Sequence, residues 1–231
     1  MLSHTPLEWD TEHLGIPTAK ITSITPEILA EAKQAGIKLI YLVLPQEKKI
    51  AIALAQSLGG ILVDHKVTYL IDLKKISLTP DPSVKSYTEK KPSDDLINLA
   101  YESGNFSRFQ NDPNLTEQQF KNIYKTWITN SVNHTFADDV LGIVENNKLL
   151  GMVTVGEKNN RGDIGLLAVS EKARGKKIGT RLVNAALHYF IQKNYSQSQV
   201  VTQQENIPAC KLYEKCGYHV EKIEYFFHFW L

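Results

Sequence analysis

The stretch "DIGLLAVSEKARGKKIGTRLVNAALHYF" constrains the chain more than any other, because its period changes in the middle. "DIGLLAVS" is an apolar run of strand length, and from about Lys177 to Lys193 the apolar residues recur at helical spacing. A strand that hands over to a helix through a turn holding Arg174, Gly175, Lys176, Lys177 and Gly179 belongs to an α/β fold. The first turn of such a helix presents free backbone N–H groups and the positive end of its dipole to one point. Glycines there let the backbone approach an anion, and the cations add charge-assisted pairing. The stretch therefore reads either as a phosphate cradle or as a solvated basic helix start.

The same alternation runs along the rest of the chain. Extended pieces are expected near Leu7 to Trp9 and Thr18 to Ile21, followed by a helix opened by Pro26 and closed by Gly36. "IKLIYLVL" reads as a buried strand, "QEKKIAIALAQSLGG" as a helix and "ILVDHKVTYLIDL" as a long strand. Residues 76–92, rich in proline and polar residues, read as a linker with one short strand, which separates an α/β half at 1–75 from a larger domain at 93–231. Beyond it come the helices "SDDLINLAYESG" and "TEQQFKNIYKTWITNSVNH", the latter opened by Thr116. A hairpin turning at Asn146-Asn147, "DIGLLAVS" with its helix, the strand "SQVVTQQ", a helix from Pro208 to Lys215 stopped by Gly217, and a final strand "HVEKIEYFFHFWL" complete the order.

"IYLVLPQEKKIAIALAQSLGGILVDHKVTYLIDL" reads as a faded copy of "QVVTQQENIPACKLYEKCGYHVEKIEYFFHF": Ala51, Leu54 and Gly59 match Ala209, Leu212 and Gly217. Hydrophobic period alone makes any two β-α-β units look alike, so a true copy and a coincidence both stand. In the first unit Lys48 and Ala55 replace Asn206 and Tyr213.

Composition narrows the function. With 26 basic and 25 acidic residues the net charge is +1, so no overall field draws the chain to nucleic acid or an anionic membrane, and any anion site is local. Cys210 and Cys216 sit on poorly matched faces of one helix and match no zinc spacing, so reduced thiols and no metal are expected. No apolar run reaches the ~18 residues of a membrane helix, and "MLSHTPLEWDTEH" lacks the basic-then-apolar order of a leader, so a cytoplasmic setting is expected.

The order "LLAVSEKARGKKIGTRL", a strand, "ENIPACKLYEKCGY" and a closing strand resembles the acyl-CoA core of the GNAT superfamily of N-acetyltransferases. That family's loop has Arg or Gln, two variable residues, Gly, one variable residue, then Gly or Ala; Arg174 and Gly179 are in register, while Lys177 stands where the first glycine belongs. The resemblance implies the GNAT acyl-CoA N-acyltransferase fold, with a mixed, mostly antiparallel central sheet flanked by helices, the smaller N-terminal half being a partial GNAT unit. It implies acetyl-CoA as co-substrate, its pyrophosphate held by Arg174, Gly175, Lys176, Lys177, Ile178, Gly179 and Thr180. The pantetheine arm would add as a strand along Leu167, Ala168 and Val169, in a slot opened where "DIGLLAVS" and "SQVVTQQ" splay apart. Asn206 would cap the next helix or bind the pantetheine arm, and Tyr213 would protonate the departing thiolate.

On the acceptor side, "LEWDTEHLGI", "ESGNFSRF" and "YKTWITNSVNHTF" are similar to the branch of that family that acetylates nucleotide-linked 4-amino-4,6-dideoxy sugars. This implies small-molecule substrates, and the chain alone or as a homodimer is compatible with it. Asp64 is the implied base, although a strand carboxylate paired with Lys66 reads equally well. His65 is a rival base that alternation points to the opposite face. In "NFSRF", Asn105, Ser107 and Arg108 are the candidate acceptor contacts, with Arg108 as a diphosphate clamp; alternatively Phe106 and Phe109 anchor the loop and Arg108 pairs with an acid. Trp127 reads as packing. Two classes remain open, an N-acetyltransferase for a nucleotide sugar, a peptide or an antibiotic, and a non-catalytic acyl-CoA binder; keeping Tyr213 and Asn206 favours the enzyme.

Overall fold

The computed structural model of the 231-residue chain describes residues 4–74 and 76–231. Residue 75, where the first expected boundary falls, lies outside them. In chain order the elements are β1 (Thr5–Pro6), α1 (Glu8–Leu14), β2 (Thr18–Ile21), α2 (Pro26–Gln34), β3 (Leu39–Pro45), α3 (Lys49–Ser57), β4 (Ile61–Asp72) and β5 (Val84–Ser86). Then follow α4 (Asp94–Ser103), α5 (Arg108–Asn111), α6 (Glu117–Val132), β6 (Asp139–Glu145), β7 (Lys148–Lys158) and β8 (Arg161–Val169). α7 (Ile178–Gln192), β9 (Gln197–Gln203), α8 (Ile207–Lys215) and β10 (His219–Trp230) close the chain.

All these strands join one sheet in the order β1-β2-β3-β10-β4-β9-β8-β7-β6-β5. Among the described residues only β2 with β3 and β8 with β9 run parallel, so the sheet is mixed and mostly antiparallel. Local chemistry sets the boundaries. Thr116 and Gln119 form a reciprocal capping box at the start of α6, Ser93 accepts from Leu96 N–H at the start of α4, and Asn146 and Asn147 turn the β6–β7 hairpin with φ of 50° and 59°. The expectation of an extended segment at Leu7 to Trp9 is corrected: α1 begins at Glu8, with Glu8 and Asp10 on its positive end, Trp9 stacked on His13 one turn later, and Gly15 as its left-handed stop. "SRF" likewise sits at the start of the short helix α5, whose C-cap Asp112 is buried against β10, with His228 Nδ1 at 2.5 Å and Trp230 Nε1 donating at 3.0 Å.

The two similar β-α-β stretches interleave about a pseudo-two-fold. A shift of 158 residues, the separation of Lys66 and Glu224, carries β3 onto β9, α3 onto α8 and β4 onto β10 end to end. Strand pairing obeys the same operation, since Pro45 of β3 faces Glu224 of β10 as Gln203 of β9 faces Lys66 of β4. At the centre Lys66 faces Glu224, and the two are joined by an ion pair at 3.2 Å. The irregularities of this central pair, which skip Val63 and Glu221, are also images of each other. Agreement in register, length and bulge position is far more than shared periodicity demands, and it supports the copy. The first unit is abbreviated: β2 follows β3 through Ile21 and Leu42, as β8 follows β9 through Ile164 and Val200, but β2 stops there and the chain turns into α2.

Candidate active site

β8 and β9 pair only from Gly162–Ser198 to Ile164–Val200 and then diverge. The cause lies on the other edge of β8, where the register with β7 slips between Val153–Leu167 and Val155–Ile164. Thr154 Oγ1 accepts from Leu166 N–H at 2.8 Å inside this bulge. The edge of Leu167, Ala168 and Val169 that faces β9 is left without a strand partner, as the splayed slot requires.

A 3₁₀ turn at Glu171–Ala173 then leads through Gly175, at φ +80°, to Lys177, which caps α7 at φ 61° without a side-chain hydrogen bond. The first helical bond onto this turn is Arg181 N–H to Lys177 O, so Ile178, Gly179 and Thr180 offer their N–H groups outward. The cleft they bound has a volume of about 550 Å³. Leu167, Ala168, Val169, Arg174, Gly175, Lys177, Ile178, Gly179, Thr180 and Asn206 all line it, whereas Lys176 is exposed and does not. Arg174 is already tied to Glu102 at 3.2 Å and to the carbonyl of Val169 at 3.4 Å. Asn206 caps α8 by accepting from Ala209 N–H at 3.3 Å, so it serves the helix while facing the cleft. Gly179 has a packing reason as well, because a Cβ there would lie 3.0 Å from Leu212 Cδ2.

Lys177 holds a left-handed conformation, the region that favours glycine, which costs an L-residue ~1–2 kcal/mol. Lys177→Gly is therefore expected to raise the melting temperature of the unliganded protein by ~1–4 °C. A fall on thermal denaturation would show that the lysine side chain earns its place in the apo fold.

A second cavity of about 260 Å³ adjoins the cleft, and Ser103, Leu167, Asn206 and Ala209 line both. Asp64 from β4, Asp163 from β8, Tyr124 and Trp127 from α6, Ser107 and Arg108 at the start of α5, and Tyr213 from α8 close around it. Asp64 is buried; Oδ2 accepts from Gln203 Nε2 at 3.3 Å, and Oδ1 has no partner. Burial pushes its carboxyl up to about 7, against a model-compound value of 3.8. Lys66 pairs with Glu224 and makes no ion pair with Asp64 among the described residues. His65 faces the other way, against Glu205 and the edge of Tyr225.

Tyr213 packs among Tyr69 and Tyr218, with both ring centroids 5.9 Å away, and burial pushes its phenol up, so it carries its proton at neutral pH. Asp163 also has its carboxyl raised by burial, and it accepts from Gln199 Nε2 at 2.8 Å. Arg108 lies over Phe109, Phe226 and Tyr41, at 4.0, 4.8 and 5.0 Å, and pairs with Asp10 at 3.4 Å. Its charge is largely matched inside the protein. Asn105 and Phe106 line the larger cleft, not this cavity. Asp163, Gln203 and Tyr124 had no sequence signal, and Trp127, read as packing, is also a cavity wall.

Residues 100–218 match the acetyltransferase (GNAT) family. The chain is 26% identical over 231 residues to dTDP-fucosamine acetyltransferase of Escherichia coli, an alignment covering 96% of each. It is 25% identical over 135 residues to the spore coat polysaccharide biosynthesis protein SpsD of Bacillus subtilis; that match takes in 58% of this chain but only 46% of the relative. In fold it is similar to a GCN5-related N-acetyltransferase from Sphaerobacter thermophilus, with a TM-score of 0.60 at 14% identity over 98% of this chain and 76% of that one. A tandem GNAT protein from the clavulanic acid biosynthesis pathway gives a TM-score of 0.58 at 15% identity over 94% of this chain and 76% of that one. The splayed strands, the uncapped helix start and the family match over 100–218 agree: the chain belongs to the acetyltransferase (GNAT) family and is an acetyl-CoA-dependent N-acetyltransferase.

Proposed function

We propose that the acceptor is the 4-amino group of a nucleotide-linked 4-amino-4,6-dideoxy sugar. The observation that carries this reading is the second cavity, where a buried carboxylate with one unpartnered oxygen and a raised pKa and a protonated phenol lie in one small space that shares its wall with the cofactor cleft. The end-to-end similarity to dTDP-fucosamine acetyltransferase supports the sugar, and the likeness to a spore coat polysaccharide protein supports a place in surface polysaccharide synthesis. Two unpaired cysteines fit a reducing, cytoplasmic setting.

Acetyl-CoA supplies an activated acyl group along Leu167–Val169, its phosphates toward the start of α7. Asp64 takes a proton from the sugar ammonium, directly or through water, and the neutral amine attacks the thioester carbonyl. The C–N bond forms and the C–S bond breaks, and Tyr213 gives its proton to the leaving sulfur. The nitrogen's second proton passes to the Tyr213 phenolate as the neutral amide forms, and Asp64 returns its proton to solvent.

The test is CoA release over a panel of nucleotide-linked amino sugars, free amino sugars, polyamines, peptides and streptothricin, the last because 80 residues of this chain are 30% identical to streptothricin acetyltransferase. The expected result is a kcat/KM for a nucleotide-linked amino sugar at least ~10² above the other acceptors. Preferential turnover of a polyamine, peptide or antibiotic would overturn the acceptor.

A further inference from the structure

We infer that the acceptor's diphosphate lies in the basic groove formed by Lys66, Lys158, Arg161 and Lys222, on the open face of the sheet beside the acceptor cavity. This rests on the nucleotide-sugar reading and assigns that substrate a second point of attachment. The groove has a volume of about 500 Å³ and is continuous with the acceptor cavity, because Lys66, Lys158 and Val201 line both.

Charge is concentrated there. The chain as a whole carries +1, yet this groove holds four cations against Glu221, which pairs with Arg161 at 2.8 Å, and Glu224, which Lys66 and Lys222 share at 3.2 and 3.1 Å. Lys158 has no ion-pair partner among the described residues. The cations outnumber the carboxylates that pair with them, which suits the negative charge of a diphosphate diester. Lys158 and Arg161 face each other across the turn Asn159-Asn160, at φ 57° and 59°, so the hairpin sets the two cations side by side. Arg108, paired with Asp10 and lying over three aromatic rings, keeps a buried, unpartnered Nε and lines the acceptor cavity, not the groove.

Geometry fits the ligand. Asp64, Lys66 and Thr68 alternate along β4 and share one face, so Lys66 lies ~6–7 Å along the strand from the carboxylate that meets the amine. In a pyranose, C4 and C1 lie at opposite ends of the ring. A 4-amino group at Asp64 therefore sends the C1-linked diphosphate toward Lys66 and the groove beyond, which leaves the nucleoside on the exposed surface near Lys222.

The experiment is calorimetric titration of the full chain with thymidine 5′-diphosphate. Lys158→Gln and Lys222→Gln, both at exposed positions, are each expected to weaken binding ~3–10-fold and together ~30-fold, with a shallower dependence on salt. Lys148→Gln, the same charge change at the β6–β7 turn, should leave the affinity as it is. No binding by the wild type, or an unchanged dissociation constant in the double variant, overturns the groove. The two readings separate in the acceptor panel. Turnover of a nucleotide-linked sugar with the same KM in the double variant removes the groove and keeps the acceptor. Thymidine diphosphate binding that the variants weaken, with no turnover of any nucleotide-linked sugar, keeps the groove and removes the acceptor.

Discussion

Tyr213→Phe is expected to lower kcat by about 10²–10⁴ while leaving acetyl-CoA affinity within about twofold. The substitution deletes one acidic proton and keeps a ring packed against Tyr69 and Tyr218. Burial raises the phenol, so Tyr213 meets the leaving thiolate in its protonated form, and an exposed acid cannot replace it in a wall only 4% accessible. Phenylalanine introduces no cavity, so the melting temperature should stay close to the wild-type value and the loss should appear in kcat. A burst-free, single-turnover measurement places the defect in the chemical step. Turnover equal to that of the wild type would remove Tyr213 as the acid.

Asp64→Asn is expected to split activity from stability. With the carboxyl at about 7, wild-type kcat/KM for the amine should rise with pH up to about that value and flatten above it. The variant should keep rising until the amine's own pKa, so its defect is largest at or below pH ~7 and shrinks with alkali. Stability moves the other way. Folding raises this carboxyl from 3.8, so its contribution is fully present below the unfolded value and is lost as pH rises through about 7. Asn carries no such penalty, and at pH 8 the variant should be more stable than wild type by ~1–4 kcal/mol, with the gap closing toward pH 4. Denaturation and kcat/KM at several pH values for wild type, Asp64→Asn and His65→Gln test both halves. A wild-type-shaped rate profile in Asp64→Asn, or a larger distortion in His65→Gln, removes Asp64 as the base.

Much of this arrangement could be read before any coordinates because it is local. A strand, a glycine-bearing turn and an amphipathic helix locate the cofactor cleft within consecutive residues, and caps such as Thr116 and turns such as Asn146-Asn147 carry their own chemistry. The repeat was readable too, through Gly59 and Gly217, though only strand pairing showed its registers to be images. The acceptor cavity was legible only in fragments, since Asp64, Arg108, Asp163 and Tyr213 reach it from four separate elements. Asp163 looks like any strand residue until Gln199 of the neighbouring strand meets it. The slot itself depends on a bulge opposite Thr154, set by pairing between two strands and by no single residue. α1 escaped because seven residues are too few for a convincing helical period. Lys177 was legible as a departure from the family's pattern, but not its left-handed backbone.

The place of β10 bears on how the chain can be made. Synthesis runs from the N-terminus, and domains generally fold in that order as they emerge. Here β10, which follows the other nine strands along the chain, belongs between β3 and β4, in the middle of the sheet. Until it arrives, β3, whose Leu39, Ile40, Leu42 and Leu44 are buried in the finished protein, has an open edge able to pair with another chain. A chain stopped before His219 therefore lacks the strand between β3 and β4, and residues 1–72 made alone expose the same edge to aggregation. Closing such distant pairings also costs loop entropy before any contact repays it, so refolding should be slow for a protein of this size and strongly dependent on concentration.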